Sequence, residues 1–248
     1  MTMLEAAELT KIESDHLWDL AYVQLRDALH AGRFEPGSVL SLRTLAQSFG
    51  TSITPVRDAV TRLVSLGILR RGPRNAAIVP LLNVRDLKNL TLVRRAMEGL
   101  AAREAAAKAD AAAVDALEAQ LEEMLSLIRA EDFPAYLDSH RRFHFRIYEM
   151  ADNAVLSETI EILWLRCGPA LNFVVPDYVK SLKGTDHHAA ALRAIRNRDC
   201  TLAEREIAAD IEEAAAYLAS LSDADGQIQR PDAARLRLKH RAPTPSIA

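Results

Sequence analysis

The chain has 248 residues, 49% of them hydrophobic and only 5% aromatic, which is enough for a buried core and excludes wholesale disorder. A formal net charge of −3 excludes a uniformly basic nucleic-acid coat, so charge has to be read segment by segment. No apolar run approaches the roughly 18 residues needed to cross a bilayer; Cys167 and Cys200 give no disulfide framework; and the acidic N-terminus lacks a secretory h-region, so a cytoplasmic location without membrane contact is expected.

Residues 1–13 read as a loose arm and residues 14–80 as a first domain. In it, Leu17, Leu20, Val23 and Leu29, with Tyr22 and Leu25 nearby, predict a helix that ends around Gly32. Pro36-Gly37 is a turn. Ser41 can cap a short second helix (LRTLAQSF) that Gly50 stops. Ser52 can cap a third, with Pro55 in the first turn, where its missing N–H costs nothing. Val56, Val60, Leu63 and Val64 give that helix an apolar face, and Gly67 ends it. Residues 68–71 and 77–79 then read as two strands joined by a turn at Gly72–Asn75.

Helix, short helix, turn, helix and β-hairpin make a winged helix-turn-helix, whose third helix enters the DNA major groove. Charge agrees: residues 41–80 contain six arginines and one acid, Asp58, a local net of +5. A merely solvated arginine face is the alternative, but it does not account for the turn spacing or the hairpin.

The stretch from Ala21 to Pro73 resembles the GntR family of bacterial transcription regulators, a likeness covering nearly all of residues 20–80. Its carriers are Gly32 with Pro36-Gly37, the run from Leu40 to Ala46, Thr54–Arg57 (TPVR), and Leu63 to Ile68. The resemblance implies that Arg43, Ser52, Thr54 and Arg57 meet DNA, with Arg74 at the wing tip. The chemistry suits them: Arg bonds guanine or phosphate in bidentate fashion, and a helix N-terminus favours phosphate. Two positions depart from the family pattern: Ile53 replaces a usual arginine, and Arg74 is followed by Asn75 rather than glycine.

After a linker at 81–85, residues 86–221 are Ala/Leu/Glu/Arg-rich with helical periodicity. A long first helix starts near Val84, with Leu90, Val93, Met97 and Leu100 as its apolar face. A second covers residues 111–130, and Pro134 opens a third. Further helices are expected at 154–165, about 168–181, 186–197 and 201–221, with turns at Pro169, Pro176 and Lys183-Gly184 among others. The fold class is therefore mainly α: an N-terminal winged helix-turn-helix and a C-terminal antiparallel helical bundle. The tail, 222–248, reads as disordered.

This second half resembles the FCD ligand-binding domain that follows many GntR readers, through VRRAMEGLAAREAA, FHFRIYEMADNAVL and HAAALRAIRNRD. The resemblance implies a divalent metal held between helices by an Asp and three His. Here that set becomes His140, His144, His188 and Asp210. The family's usual Asp is replaced by His140 and its last-helix His by Asp210, so the paired exchange preserves the composition. His140 and His144, four apart, share a helix face. His187, beside His188, competes for its role, whereas Asp138 is off-phase with His144. Imidazole plus carboxylate suits zinc, nickel, manganese or iron. Arg94, Arg95, Arg166 and Asn172 are candidates to bind an organic-acid effector.

The sequence thus predicts a regulator, more often a repressor in this family, that binds a palindromic operator in double-stranded DNA as a homodimer. Two alternatives are a metal-dependent enzyme with an appended DNA module and a DNA-binding protein without a ligand. The absence of H-E-x-x-H and G-x-S-x-G arrangements speaks against the enzyme.

Overall fold

The computed structural model describes residues 17–175, 177–180 and 183–231. The arm at 1–13 and the tail beyond 231 lie outside the described residues. No described helix is long and apolar enough to cross a membrane.

The first unit opens with α1 (Leu17–His30), which buries Ala21, Leu25 and Leu29. This corrects the face expected from the sequence: Leu17 and Leu20 are exposed, because the strict four-residue spacing 21–25–29 sets the inward stripe. Next come β1 (Val39–Leu40) and α2 (Leu42–Ser48), the latter capped by the Ser41 hydroxyl, which accepts from the Thr44 N–H. Helix α3 (Ile53–Ser65) buries Val56, Ala59, Val60 and Leu63. The wing is β2 (Arg70–Arg71) and β3 (Ala77–Ile78), joined by a 3₁₀ turn at Pro73–Asn75. Strand β1 was not expected. It pairs antiparallel with β3 in the order β1-β3-β2, placing Leu40 opposite Ala77.

The second unit is helical. Helix α4 (Val84–Lys108) is capped by Asn83, whose side chain accepts from the Asp86 N–H at 2.8 Å. It turns Leu87, Arg94, Glu98, Ala101, Ala102 and Ala105 inward. Val93 and Leu100, expected in the core, are exposed instead. A paired Arg and Glu occupy the inward stripe, which an apolar count alone cannot find. Helices α5 (Ala111–Arg129), α6 (Phe133–Met150) and α7 (Ala154–Leu171) follow. Helix α7 runs through Pro169, where a break was expected; the proline lies in the last turn and is buried with its neighbours Cys167, Gly168 and Ala170, so packing offsets its missing donor. A 3₁₀ turn (Asn172–Val174) leads to α8 (Asp177–Lys180) and α9 (Lys183–Arg196), which begins earlier than the sequence suggested. The last helix, α10 (Cys200–Ser220), packs along α4, so closely that a Cβ on Gly99 would lie 3.3 Å from Glu204.

Residues 222–231, assigned by sequence to a disordered tail, fold back over the linker. The Ile228 N–H donates to Leu82 O and the Val84 N–H to Gly226 O, both at 2.9 Å, and Ile228 is buried. Burying an isoleucine and satisfying one carbonyl and one N–H of the linker stabilises a segment that composition alone marks as loose. Arg230 reaches Glu35 of the first unit at 2.7 Å.

Candidate functional site

Two regions concentrate the sequence-derived candidates. The first is the exposed face of α2 and α3. Ser52 stands at the N-cap of α3, yet its side chain makes no cap hydrogen bond. Thr54 and Arg57 are exposed in the first turns while Pro55 and Val56 point into the core, and Arg43 is exposed on α2. Arg74, exposed at the wing tip, has a left-handed backbone (φ 54°, ψ 36°), which supplies the bend that a glycine would otherwise give. Arg57 and Arg71 both line a groove between α3 and the wing. Arg71 was not singled out by sequence, although it lies in the arginine run. Arg62 is engaged inside the unit instead, its guanidinium 4.4 Å from the centre of the Tyr22 ring.

The second region lies inside the helical unit, where α6, α9 and α10 converge. His140 and His144 from α6, His188 from α9 and Asp210 from α10 bring ligand-capable atoms within 4.8 Å of one another. His144 Nε2 is 3.1 Å from His188 Nε2 and 3.4 Å from Asp210 Oδ2; His188 Nε2 is 3.4 Å from Asp210 Oδ1. Atoms about 2.0–2.1 Å from a central ion are separated by about 2.8–3.0 Å as octahedral neighbours and about 3.3–3.4 Å in a tetrahedron. The observed spacings fit such an ion.

The outer contacts fix one ligand's protonation. Tyr148 donates its hydroxyl proton to Glu98, so its oxygen accepts from His144 Nδ1–H at 3.1 Å, leaving the Nε2 lone pair facing the cluster. Glu98 also accepts from Trp164 Nε1 at 3.0 Å and from Arg94 Nε at 2.6 Å. Burial opposes the charge on Arg94, but Glu98 outweighs it and raises the guanidinium further above its ordinary range. His188 has no such outer contact: its Nδ1 is buried without a partner among the described residues.

Burial lowers His144 below the ordinary histidine value and His140 well below it. Burial works the other way on Asp210, but His188 and His144 hold it well below the usual carboxylate range. The cluster therefore pairs an ionised carboxylate with imidazoles, of which burial keeps His140 and His144 uncharged, a donor set suited to a divalent cation.

A cavity of about 60 Å³ adjoins the cluster. Of the four effector candidates, Arg94 and Asn172 line it. Arg95 and Arg166 do not: Arg95 pairs with Glu212 at 3.1 Å on the outer face of α4, and Arg166 stands 3.6 Å from where a Cβ on Gly67 would be. His187, the competitor of His188, is turned away to Glu206 at 2.8 Å. Sequence reasoning missed Tyr136, Tyr148 and Trp164 around the cluster. The signal for the tyrosines was present: 136, 140, 144 and 148 continue one four-residue ladder along α6.

Helix α7 borders both the cavity and the core of the first unit. Trp164, Gly168 and Leu171 line the cavity, whereas Leu165 is 1% exposed within the core of the first unit. Glu161 on the same helix faces Arg26 at 3.4 Å and His30 at 3.8 Å, and the end of α1 reaches the cavity, which His30 helps to line.

Comparison with known proteins matches both halves. Residues 19–79 match the family described as bacterial regulatory proteins, gntR family, and residues 89–213 match the FCD domain. The chain is 33% identical over 150 residues to the HTH-type transcriptional regulator McbR of Escherichia coli, spanning 60% of this chain and 68% of McbR. It is 26% identical to a probable D-xylose utilization operon transcriptional repressor of Paenarthrobacter nicotinovorans, over 79% of this chain and 85% of that one. The solved structure of E. coli McbR/YncC superposes with a TM-score of 0.76 at 27% identity, covering 81% of this chain and 96% of that one. These relatives are transcription regulators and not enzymes. The chain belongs to the GntR family of transcription regulators, with a winged helix-turn-helix reader followed by an FCD domain.

Proposed function

We propose that the protein represses transcription by binding a palindromic operator as a homodimer, and that a small organic acid bound at a divalent metal in the FCD domain sets its operator affinity. The observation that carries this reading is the convergence of three imidazoles and one carboxylate, within 4.8 Å, on the wall of a cavity. His140, His144, His188 and Asp210 would hold the ion, and Tyr148 would orient His144 through Nδ1. A bound divalent ion offers a Lewis-acid anchor for a carboxylate oxygen. Arg94 and Asn172, on the same wall, would contact the rest of the acid.

At the other end, Arg43 and Arg57 would meet guanine edges or phosphates, Ser52 and Thr54 would bond phosphates at the α3 N-terminus, and Arg74 would approach from the wing. The uncapped Ser52 side chain supports this, since nothing at the cap competes for its hydroxyl. Exposed Leu92 beside Ala215, Ala216 and Ala219, on the outer face of α4 and α10, supports a self-associating surface for the dimer. The acid alters operator affinity only to the extent that it binds the DNA-competent and incompetent arrangements unequally.

The test is the metal content of protein purified without chelator or His tag, beside a His144→Ala control. About one ion per chain, absent from the control, supports the reading. No uptake of zinc, nickel or manganese by the unaltered protein overturns it.

A further inference from the structure

We infer that the effector site is shared between the two domains: His30, in the last turn of the reader's α1, contacts the bound acid, which therefore carries a second polar end besides the group directed at the metal cluster. This rests on the proposed function above and deepens it by naming the ligand class and a recognition residue that lies outside the FCD domain.

Four observations support it. First, His30 belongs to the reader by sequence, yet it forms part of the wall of the cavity that holds the His/Asp cluster, and its side chain is only 5% exposed. Second, its ring packs edge-on against Phe145 of α6 at 5.7 Å, and Phe145 in turn packs on the cavity-lining Trp164 at 5.4 Å, so the imidazole is seated in packed side chains and not in solvent. Third, its ion-pair contact among the described residues, Glu161 at 3.8 Å, is longer than a hydrogen bond, and Glu161 is also faced by Arg26 at 3.4 Å. The carboxylate thus keeps a cationic neighbour if His30 turns toward a ligand. Fourth, Asn172 stands on the same wall and abuts the reader at Gly32, placing a neutral amide close to the end of α1.

Beyond the cluster and Arg94, the wall therefore carries further polar groups in His30, Asn172 and Arg141, with Tyr136, Trp164 and Leu171 supplying apolar surface. A cavity of about 60 Å³ holds about four to six water-sized groups, taking about 10–15 Å³ for each. That size and polarity fit a two- to four-carbon hydroxy acid or dicarboxylate, and they disfavour an acid whose far end is purely alkyl. Because the second contact comes from the reader, binding and domain placement are linked without any relay through the bundle.

The experiment uses the full chain loaded with nickel. Lactate, glycolate and malonate are titrated by calorimetry, with propionate as the acid lacking a second polar end, into the unaltered protein, His30→Ala and His30→Gln. Nickel affinity is measured first, and its absence in the unaltered protein would fail the metal reading itself. With nickel bound, the unaltered protein is expected to prefer at least one bifunctional acid over propionate by tenfold or more. His30→Ala is expected to lose that preference while keeping its nickel affinity and its operator affinity without acid. His30→Gln, which keeps a donor, should restore part of the preference. An undiminished preference in His30→Ala, or no bifunctional acid bound by the nickel-loaded unaltered protein, overturns the inference.

Discussion

His144 donates Nδ1–H to the hydroxyl oxygen of Tyr148, 3.1 Å away and one turn further along α6, and the tyrosine hydroxyl in turn donates a hydrogen bond to Glu98. This chain commits the imidazole to the tautomer whose Nε2 lone pair faces the cluster. Tyr148→Phe removes the acceptor and leaves Trp164 and Arg94 on Glu98. Metal affinity should fall by about 10–100-fold, the usual effect of losing such an outer partner. Competition with a chromophoric chelator measures it, and an unchanged affinity would remove Tyr148 from the site.

Removing the metal should lower thermal stability. An ion that binds only the folded chain at 100 times its dissociation constant adds about 2.7 kcal/mol. Scanning calorimetry with and without added metal should show a raised melting temperature that chelator reverses. Asp210→Asn, which keeps the shape but removes the single carboxylate of the set, should abolish the difference.

The metal-free protein should become less stable as pH falls below the ordinary histidine value of 6.5. Burial holds His140 well below that value and His144 below it, so the unfolded chain takes up protons that the folded chain refuses. Stability from this source is complete above 6.5 and is lost as pH falls toward the depressed folded values. Melting temperatures between pH 7.5 and 5.5 should decline, less steeply in His140→Gln. A slope identical in that variant would show that other groups control it.

Arg57→Ala should weaken operator binding by about 1–3 kcal/mol with relaxed specificity if the arginine reads a base. If it meets only phosphate, the loss should be uniform across sequences, with the salt slope reduced by about one. Arg43→Ala should also weaken binding. Gel-shift titrations at several salt concentrations separate these outcomes, and a retained footprint in either variant excludes that residue from the contact surface.

Leu165→Ala should destabilise the reader although the residue lies on α7. Its side chain is 1% exposed among the reader's core residues, and truncating a buried leucine costs about 2–5 kcal/mol. Hydrogen exchange should accelerate in α1 and α3 before it does in α5 and α6. Equal acceleration throughout would mean that the two units unfold as one.

The reader was largely legible because its signals are local: Ser41 caps α2, Gly50 and Gly67 follow the helix ends, and Pro55 sits in a first turn. Strand β1 escaped because two residues show no alternation, and only pairing with β3 makes them a strand. In the cluster, the spacing of His140 and His144 was readable, whereas joining them to His188 and Asp210 required the family resemblance, since α9 and α10 meet α6 only through tertiary packing. Arg94 and Glu98 defeated the apolar count on α4 because their mutual bond, with Tyr148 and Trp164, makes a buried charge pair tolerable. Arg95, one residue on, could not be told apart from Arg94 by sequence, yet it faces outward.

The position of Leu165 separates two meanings of modularity. By descent the chain divides in the low-eighties, where one family match ends and the next has yet to begin. By packing it does not, because a side chain encoded far downstream completes the upstream core. A reader expressed alone would carry an apolar socket where Leu165 belongs, and exchanging FCD domains between relatives would require the incoming α7 to present a leucine-sized plug at this place.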